Sequence, residues 1–208
     1  MQLERITLSG KSVRLEPLTQ AHEAALLAAV AEQRETFAFT FVPTPAEVPG
    51  YLAQALSAME RGEALVFATH DPRTNALLGC TRYFDLQRWV WQREVAPRAE
   101  RDDVLDALEI GYTWLVAQAQ RTRVNTEAKL LMLAHAFEVL GCRRVTLKTD
   151  ARNQRSRDAI ARLGARFDGI LRAQQPAVDG VVRDTAYFSI LEAEWPAVRA
   201  GLEAKLER

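Results

Sequence analysis

The chain has 208 residues, 48% of them hydrophobic, with 27 lysines and arginines balanced by 27 aspartates and glutamates. That size points to one domain with a sizeable core, spanning 1–208, with a body over about 8–192 and a last helix over about 195–207. A formal net charge of zero excludes nucleic-acid binding driven by bulk charge. No apolar run reaches membrane-spanning length, so no membrane is expected as a partner. Residues 1–10 lack a signal-peptide layout because Glu4 and Arg5 interrupt them. Cys80 and Cys142 are isolated thiols without disulfide or metal-site spacing, which fits a reducing, cytoplasmic setting. His22, His70 and His135 are scattered with no clustered partner, and no metal is expected.

In chain order, 13–16 reads as a short strand, since Val13 and Leu15 alternate with Arg14 and Glu16. Thr19 is placed to cap a helix over about 20–31. Residues 36–49 combine Phe37, Phe39 and Phe41 with Pro43, Pro45 and Pro49; the prolines break helices, so a loop is expected. Its phenylalanines need burial or else line a pocket. A helix over about 50–61 follows. Residues 65–69 and 76–84 read as a hairpin around Asp71, Pro72 and Asn75. Residues 85–107 hold Trp89, Trp91 and Pro97 with no clear period, a candidate lid or else a hairpin extension.

The stretch 108–140 organises the rest. Leu108, Ile110, Tyr112 and Trp114 alternate with Glu109, Gly111, Thr113 and Leu115, a strand pattern. Residues 118–125 are polar, with Arg121 and Arg123 flanking Thr122. Leu130, Leu133, Ala134, Phe137 and Leu140 then recur at helical steps, and Gly141 stands where a left-handed cap belongs. A helix start off a strand end offers unpaired amides and a positive dipole, so a phosphate-bearing ligand fits about residues 121–126. An ordinary connection with solvated arginines fits the same pattern. Beyond it lie a strand over 144–149, a short helix over 156–163 closed by Gly164, two strands over 167–174 and 183–191 joined across Gly180, and a last helix opened by Trp195 and Pro196. This order implies a mixed α/β or α+β domain around a central sheet.

Three segments carry a more specific signal: Leu108-Glu109-Ile110-Gly111-Tyr112; Gln120-Arg121-Thr122-Arg123-Val124-Asn125-Thr126-Glu127; and Lys148-Thr149-Asp150 followed by Asn153-Gln154-Arg155-Ser156 and Leu163-Gly164. In this order they resemble the Gcn5-related N-acetyltransferase superfamily, in its ribosomal-protein-alanine acetyltransferase-like branch. The resemblance implies a single acyl-CoA N-acyltransferase domain. Its mixed, largely antiparallel sheet would splay after the central strand and be flanked by helices. Acetyl-CoA would be the cofactor, its pantetheine lying between Trp114, Leu115 and Val116 and the strand ending near Thr149. Its phosphates would rest on Gln120, Arg121, Thr122, Arg123, Val124, Asn125 and Thr126, with Asn153 and Ser156 on the opposite wall.

The family loop usually has glycine where Arg123 stands, and glycine or alanine at Asn125. A left-handed angle at Arg123 would cost roughly 1 kcal/mol, so either the loop is shaped differently or Arg123 offsets the loss by a charge-assisted phosphate contact, the second being favoured. Glu127 should point away from the phosphates. Ile160 replaces the tyrosine acid many members use; Ser156 matches the serine of the ribosomal-protein branch, and Tyr187 is a second acid candidate. Gln175 stands where that branch's proposed carboxylate base would fall, and it cannot take a proton. Glu109 is the candidate base, or else it only orients the cationic acceptor. An amide near Leu115 or Val116 would polarise the carbonyl.

The implied reaction moves acetyl to a primary amine, on a small molecule or a protein N-terminus, by direct attack in a ternary complex. Phe37, Phe39, Phe41, Trp89, Trp91 and Glu109 would shape the acceptor site. A non-catalytic module binding CoA or another phosphate ligand is the alternative, and a homodimer through the last helix and exposed tryptophans is a further expectation.

Overall fold

The computed structural model describes residues 3–31, 34–90 and 105–207. Its strands are β1 (Leu8–Ser9), β2 (Arg14–Pro17), β3 (Ala64–His70), β4 (Leu77–Gln87), β5 (Ala107–Leu115), β6 (Arg144–Asp150), β7 (Arg166–Pro176) and β8 (Val182–Leu191). They form one sheet in the order β1-β2-β3-β4-β5-β6-β8-β7. Of these neighbours, β5 and β6 alone run parallel, so the sheet is mixed and largely antiparallel. The helices are α1 (Glu23–Val30), α2 (Val48–Glu60), α3 (Arg123–Ala134), α4 (Gln154–Arg162) and α5 (Trp195–Glu207). No helix of the described residues is long and apolar enough to cross a membrane.

β3 is buried along its whole length, as expected of a strand covered on both faces. Phe67, Tyr83 and Met132 are fully buried, and the Tyr83 hydroxyl donates to the Met132 carbonyl at 2.7 Å. This bond ties β4 to α3. Truncating a buried methionine of this kind to alanine costs about 2–5 kcal/mol.

Several element limits move for clear reasons. α2 begins at Val48, ahead of the expected start, because Pro49 lies in its first turn, where a missing N–H and a fixed φ are tolerated. The buried face of α3 is formed by Val124, Ala128, Met132 and Leu133, with Glu127 and Lys129 also buried. Leu130, Ala134 and Leu140 pack only at its margin. The helix runs into a wider π-turn, His135–Val139, and stops at Gly141, whose φ of 67° is left-handed. Gly164 closes α4 with a φ of 101°. Asp106 donates its backbone N–H to the Gln87 carbonyl at 2.9 Å, closing the stem of the 85–107 excursion. Its expected lid falls mainly on residues outside those described.

The alternation read along β5 fails at Tyr112. Cys80 pairs with Trp114 and Arg82 with Gly111, so two β5 residues, Tyr112 and Thr113, oppose the single β4 residue Thr81. This is a β-bulge, and Tyr112 has a φ of 50°. Its ring turns outward, under the Arg82 guanidinium at 4.0 Å, instead of joining Ile110 and Trp114 in the core. The bend has a larger consequence. β5 and β6 pair only at Ala107 with Arg144, Leu108 with Val145 and Glu109 with Thr146. Beyond Glu109 the strands part, which is the splay the family resemblance implied.

Candidate functional site

The gap between the parting strands opens into a cleft of about 1300 Å³. One wall is β5 from Glu109 to Leu115; the other is Leu147, Lys148 and Thr149 of β6, with the start of α4 beyond. The segment carrying Phe37, Phe39 and Phe41 covers one side, and Gln175 and Arg183 of the β7–β8 hairpin line another.

At one end stands the start of α3. Thr122 is its N-cap: the side-chain oxygen accepts from the Val124 N–H at 3.3 Å, and the hydroxyl donates to the Ala119 carbonyl at 2.7 Å. Helix geometry leaves the amides of Arg123 and Asn125 outside the internal ladder. Gln120, Arg121, Thr122, Asn125 and Thr126 line the cleft here, and the Arg155 guanidinium donates to Gln120 Oε1 at 3.3 Å. Arg121 and Arg155 beside free helix amides form an anion cradle. Gln120 braces it, donating to the Leu115 carbonyl and the Thr36 hydroxyl, both at 2.8 Å. Glu127 points away, accepting the Lys11 and Ser12 amides of the β1–β2 turn at 2.9 and 2.6 Å.

The register of this loop differs from expectation. The left-handed angle falls on Arg121, with a φ of 59°; Arg123 is the first helical residue and carries no such strain. Neither Arg123 nor Val124 is among the cleft-lining residues, and Val124 is buried in the core. Trp114 and Leu115 line the cleft. Val116 does not, because its N–H donates to the Leu78 carbonyl at 2.8 Å. That amide is therefore committed to the sheet and unavailable to a thioester carbonyl.

At the inner end lies Glu109, 2% exposed, its Oε2 2.9 Å from Lys148 Nζ. Burial raises its pKa to about 7 despite the opposing Lys148 charge. A carboxyl group poised there exchanges protons readily at neutral pH. Asn153 caps α4, accepting the Ser156 N–H on its Oδ1 at 3.1 Å, and both residues line the cleft. Ile160 lines it where a tyrosine acid would stand.

Two expected residues fall elsewhere. Tyr187 pairs directly with Lys148 across β6 and β8, and its ring centroid is 5.7 Å from Lys148 Nζ. It is nonetheless absent from the residues lining the cleft. Trp89 likewise lies outside it, with Arg144 over its ring at 5.6 Å and its backbone N–H donated to the Asp106 carboxylate at 2.8 Å. It closes the excursion's stem. Trp91 lies outside the described residues.

The sequence reading passed over Lys129. Its Nζ donates to the Thr113 and Thr81 hydroxyls at 2.7 and 3.0 Å, and burial lowers its pKa to about 7. It lines the cleft one helical turn beyond Asn125, a four-residue spacing from a phosphate-loop position that was available as a signal. Lys148 was likewise quoted only within a motif. On its strand it takes the turn of Thr146, opposite the buried Val145 and Leu147.

The description of an acetyltransferase (GNAT) domain matches residues 12–166 of the chain. A GCN5-related N-acetyltransferase from Brucella melitensis is 30% identical, covering 98% of this chain and 86% of its own, with a TM-score of 0.82. Mycobacterium smegmatis RimJ in complex with CoA-disulfide shares the fold at 18% identity and a TM-score of 0.76, over 97% of this chain and 95% of its own. YdaF of Bacillus subtilis (strain 168), whose name assigns it to the ribosomal N-acetyltransferases, is 32% identical over 94 residues. That match spans 45% of this chain and 50% of YdaF, about half the length of that relative. With the parted strands, the cradle at α3 and a family match over most of its length, the chain belongs to the Gcn5-related N-acetyltransferase family.

Proposed function

We propose that this protein transfers acetyl from acetyl-CoA to a primary amine by direct attack within a ternary complex. The observation that carries this reading is the cleft between β5 and β6, with a cationic helix start at one end and the buried Glu109 at the other. In this reading the diphosphate rests on the start of α3 at Asn125 beside Arg121, and the pantetheine lies along Trp114 and Leu115. The acyl thioester then reaches the gap near Glu109.

The acceptor arrives as an ammonium ion and must shed a proton. Glu109 takes it, directly or through one water, at a pH where it is partly ionised. The free amine attacks the thioester carbonyl, the C–N bond forms and the C–S bond breaks. Ser156, facing the cleft, relays to the leaving thiolate the second proton, which the attacking nitrogen loses as it becomes an amide. Holding two reactants in register supplies roughly 7–11 kcal/mol of the barrier, so Ile160 in the acid position is tolerable. Tyr187, outside the cleft lining, acts at most through its neighbours.

The acceptor class we favour is a protein N-terminus. The name of YdaF points to that branch, and the phenylalanine-bearing segment 36–41 flanks an open mouth. Acetyl-CoA, a thiol reagent and a panel of N-terminal peptides and small amines test this. Free CoA appearing only with an amine supports transfer, and a preference for peptides supports the acceptor class. Tight CoA binding with no turnover on any amine favours a non-catalytic binding module.

A further inference from the structure

Glu16, His22 and His70 are far apart in sequence but meet at one corner of the sheet. β2 pairs antiparallel with β3, setting Arg14 opposite His70 and Glu16 opposite Ala68. Arg14, Glu16 and His70 therefore share one sheet face. The turn Gln20–His22, which leads into α1, brings His22 over the same face, its ring centroid 5.3 Å from that of His70. One ligand atom from each of Glu16, His22 and His70 lies within 4.8 Å of the others, and His22 Nε2 is 3.7 Å from Glu16 Oε2. The histidines expected to be scattered are thus two members of a cluster.

Outer contacts hold all three side chains, and that of His70 aims a lone pair inward. His70 is 4% exposed. Its Nδ1 lies 3.1 Å from the Asn75 carbonyl, which fixes the proton on that nitrogen. Its Nε2 is buried without a hydrogen-bond partner. His22 Nδ1 accepts the Thr19 backbone N–H at 3.0 Å, so its proton sits on Nε2, on the Glu16 side; an ion displaces that proton, and Nδ1 then donates to the Thr19 hydroxyl or carbonyl, 3.0 and 3.3 Å away. Glu16 gives Oε1 to the Arg14 guanidinium and keeps Oε2 for the cluster. Imidazoles held through the far nitrogen and a carboxylate held through one oxygen are the outer-shell arrangement of metal-ligating residues. A buried Nε2 with no donor to meet is a polar vacancy that a cation fills.

We propose that Glu16, His22 and His70 bind a divalent transition-metal ion, zinc matching the donor set best, and that the ion pins the corner between β2 and α1 to the end of β3. Two imidazoles and one carboxylate are borderline ligands suited to zinc. Donors of a tetrahedral zinc stand about 3.3 Å apart, and those of the cluster lie within 4.8 Å of one another. Glu16 lies at the surface and leaves the fourth position to water. None of the three residues lines the cleft. The ion is therefore a structural clasp remote from acyl transfer, and the proposal stands apart from the reaction proposed above. Arg14, paired to the same carboxylate, neutralises part of the charge and keeps the affinity moderate.

Untagged, metal-free protein titrated with Co²⁺ and then Zn²⁺ tests this. The wild type should bind one equivalent of Co²⁺ with ligand-field absorption and no thiolate charge-transfer band. Zn²⁺ should displace it and raise the Tm. His22→Ala and His70→Gln should each lower the affinity about 100-fold or more, since loss of an outer-shell contact alone costs up to that. His135→Gln should bind as wild type. His22 sits on a surface turn, so its variant stays interpretable even if His70→Gln fails to fold. Substoichiometric binding by the wild type, unchanged affinity in His22→Ala, or a thiolate band implicating Cys80 or Cys142 would each overturn the assignment.

Discussion

Replacing Glu109 by glutamine should make the protein more stable and less active at once. The carboxyl group titrates near 4.5 in the unfolded chain and at about 7 in the fold, chiefly because burial penalises its charge. Tenfold in ionisation is about 1.4 kcal/mol, so carrying that charge inside the fold costs about 3 kcal/mol. Because the folded value lies above the unfolded one, the native state is favoured fully below pH 4.5. That advantage is lost as the pH rises through about 7. Glutamine has nearly the same shape and no charge. Above neutrality Glu109→Gln should therefore exceed wild type by up to about 3 kcal/mol, a figure already net of the Lys148 ion pair. At about 2–4 °C per kcal/mol for a chain of this size, the ceiling on the Tm gain is about 6–12 °C, shrinking toward zero as the pH falls to 4.5. Thermal melts across pH, run beside a CoA-release assay, read both effects. Turnover should fall about 10²- to 10⁴-fold with acetyl-CoA affinity little changed. A variant no more stable than wild type at alkaline pH refutes the buried-charge reasoning, and undiminished turnover removes Glu109 from the chemistry.

Arg121→Ala should weaken CoA about tenfold while leaving acyl-pantetheine fragments without the diphosphate unaffected, whereas Arg123→Ala should change little; calorimetry with both ligands checks this, and equal losses for fragment and coenzyme would count against a phosphate contact at Arg121. Ser156→Ala should slow turnover about 10- to 100-fold with its fold intact, because the cap from Asn153 uses the Ser156 backbone; unchanged kcat would leave the thiolate to solvent. Lys129→Met should respond to pH in the opposite sense to Glu109→Gln. The folded pKa of Lys129 is depressed from 10.5 to about 7, so its contribution to stability is present above 10.5 and lost as the pH falls through about 7. The gain from Lys129→Met should accordingly be largest at and below neutral pH and fade toward pH 10 in chemical denaturation; a gain independent of pH would show that the amine is not buried as a cation.

Much of the site was legible because it rests on local patterns. The strand holding Glu109, the polar turn and the helix over Ala128 and Met132 follow from alternation, capping and helical periodicity within a few residues of one another. What escaped the sequence depends on register. The bulge that turns Tyr112 outward is one extra residue against β4, and no alternation pattern within β5 alone records it. The left-handed residue of the phosphate turn is Arg121, not Arg123, because Thr122 caps α3 and sets where the helix begins. Lys129 is a charged residue on a buried face, which periodicity assigns to solvent until its threonine partners on β4 and β5 are known. The meeting of His22 with His70 follows from the pairing of β2 with β3, a long-range fact that spacing cannot supply. Trp89 read as a pocket aromatic by composition alone, yet its neighbours Asp106 and Arg144 hold it at the stem of the excursion.

The central claim is that the strands part after Glu109 to admit an acyl thioester whose phosphates the start of α3 holds. A crystal structure with acetyl-CoA tests this most directly. The diphosphate should lie on the start of α3 at Asn125 beside Arg121, with the acetyl group between β5 and β6 near Glu109. Coenzyme bound elsewhere, or β5 and β6 paired beyond Glu109 with nothing between them, would contradict the account.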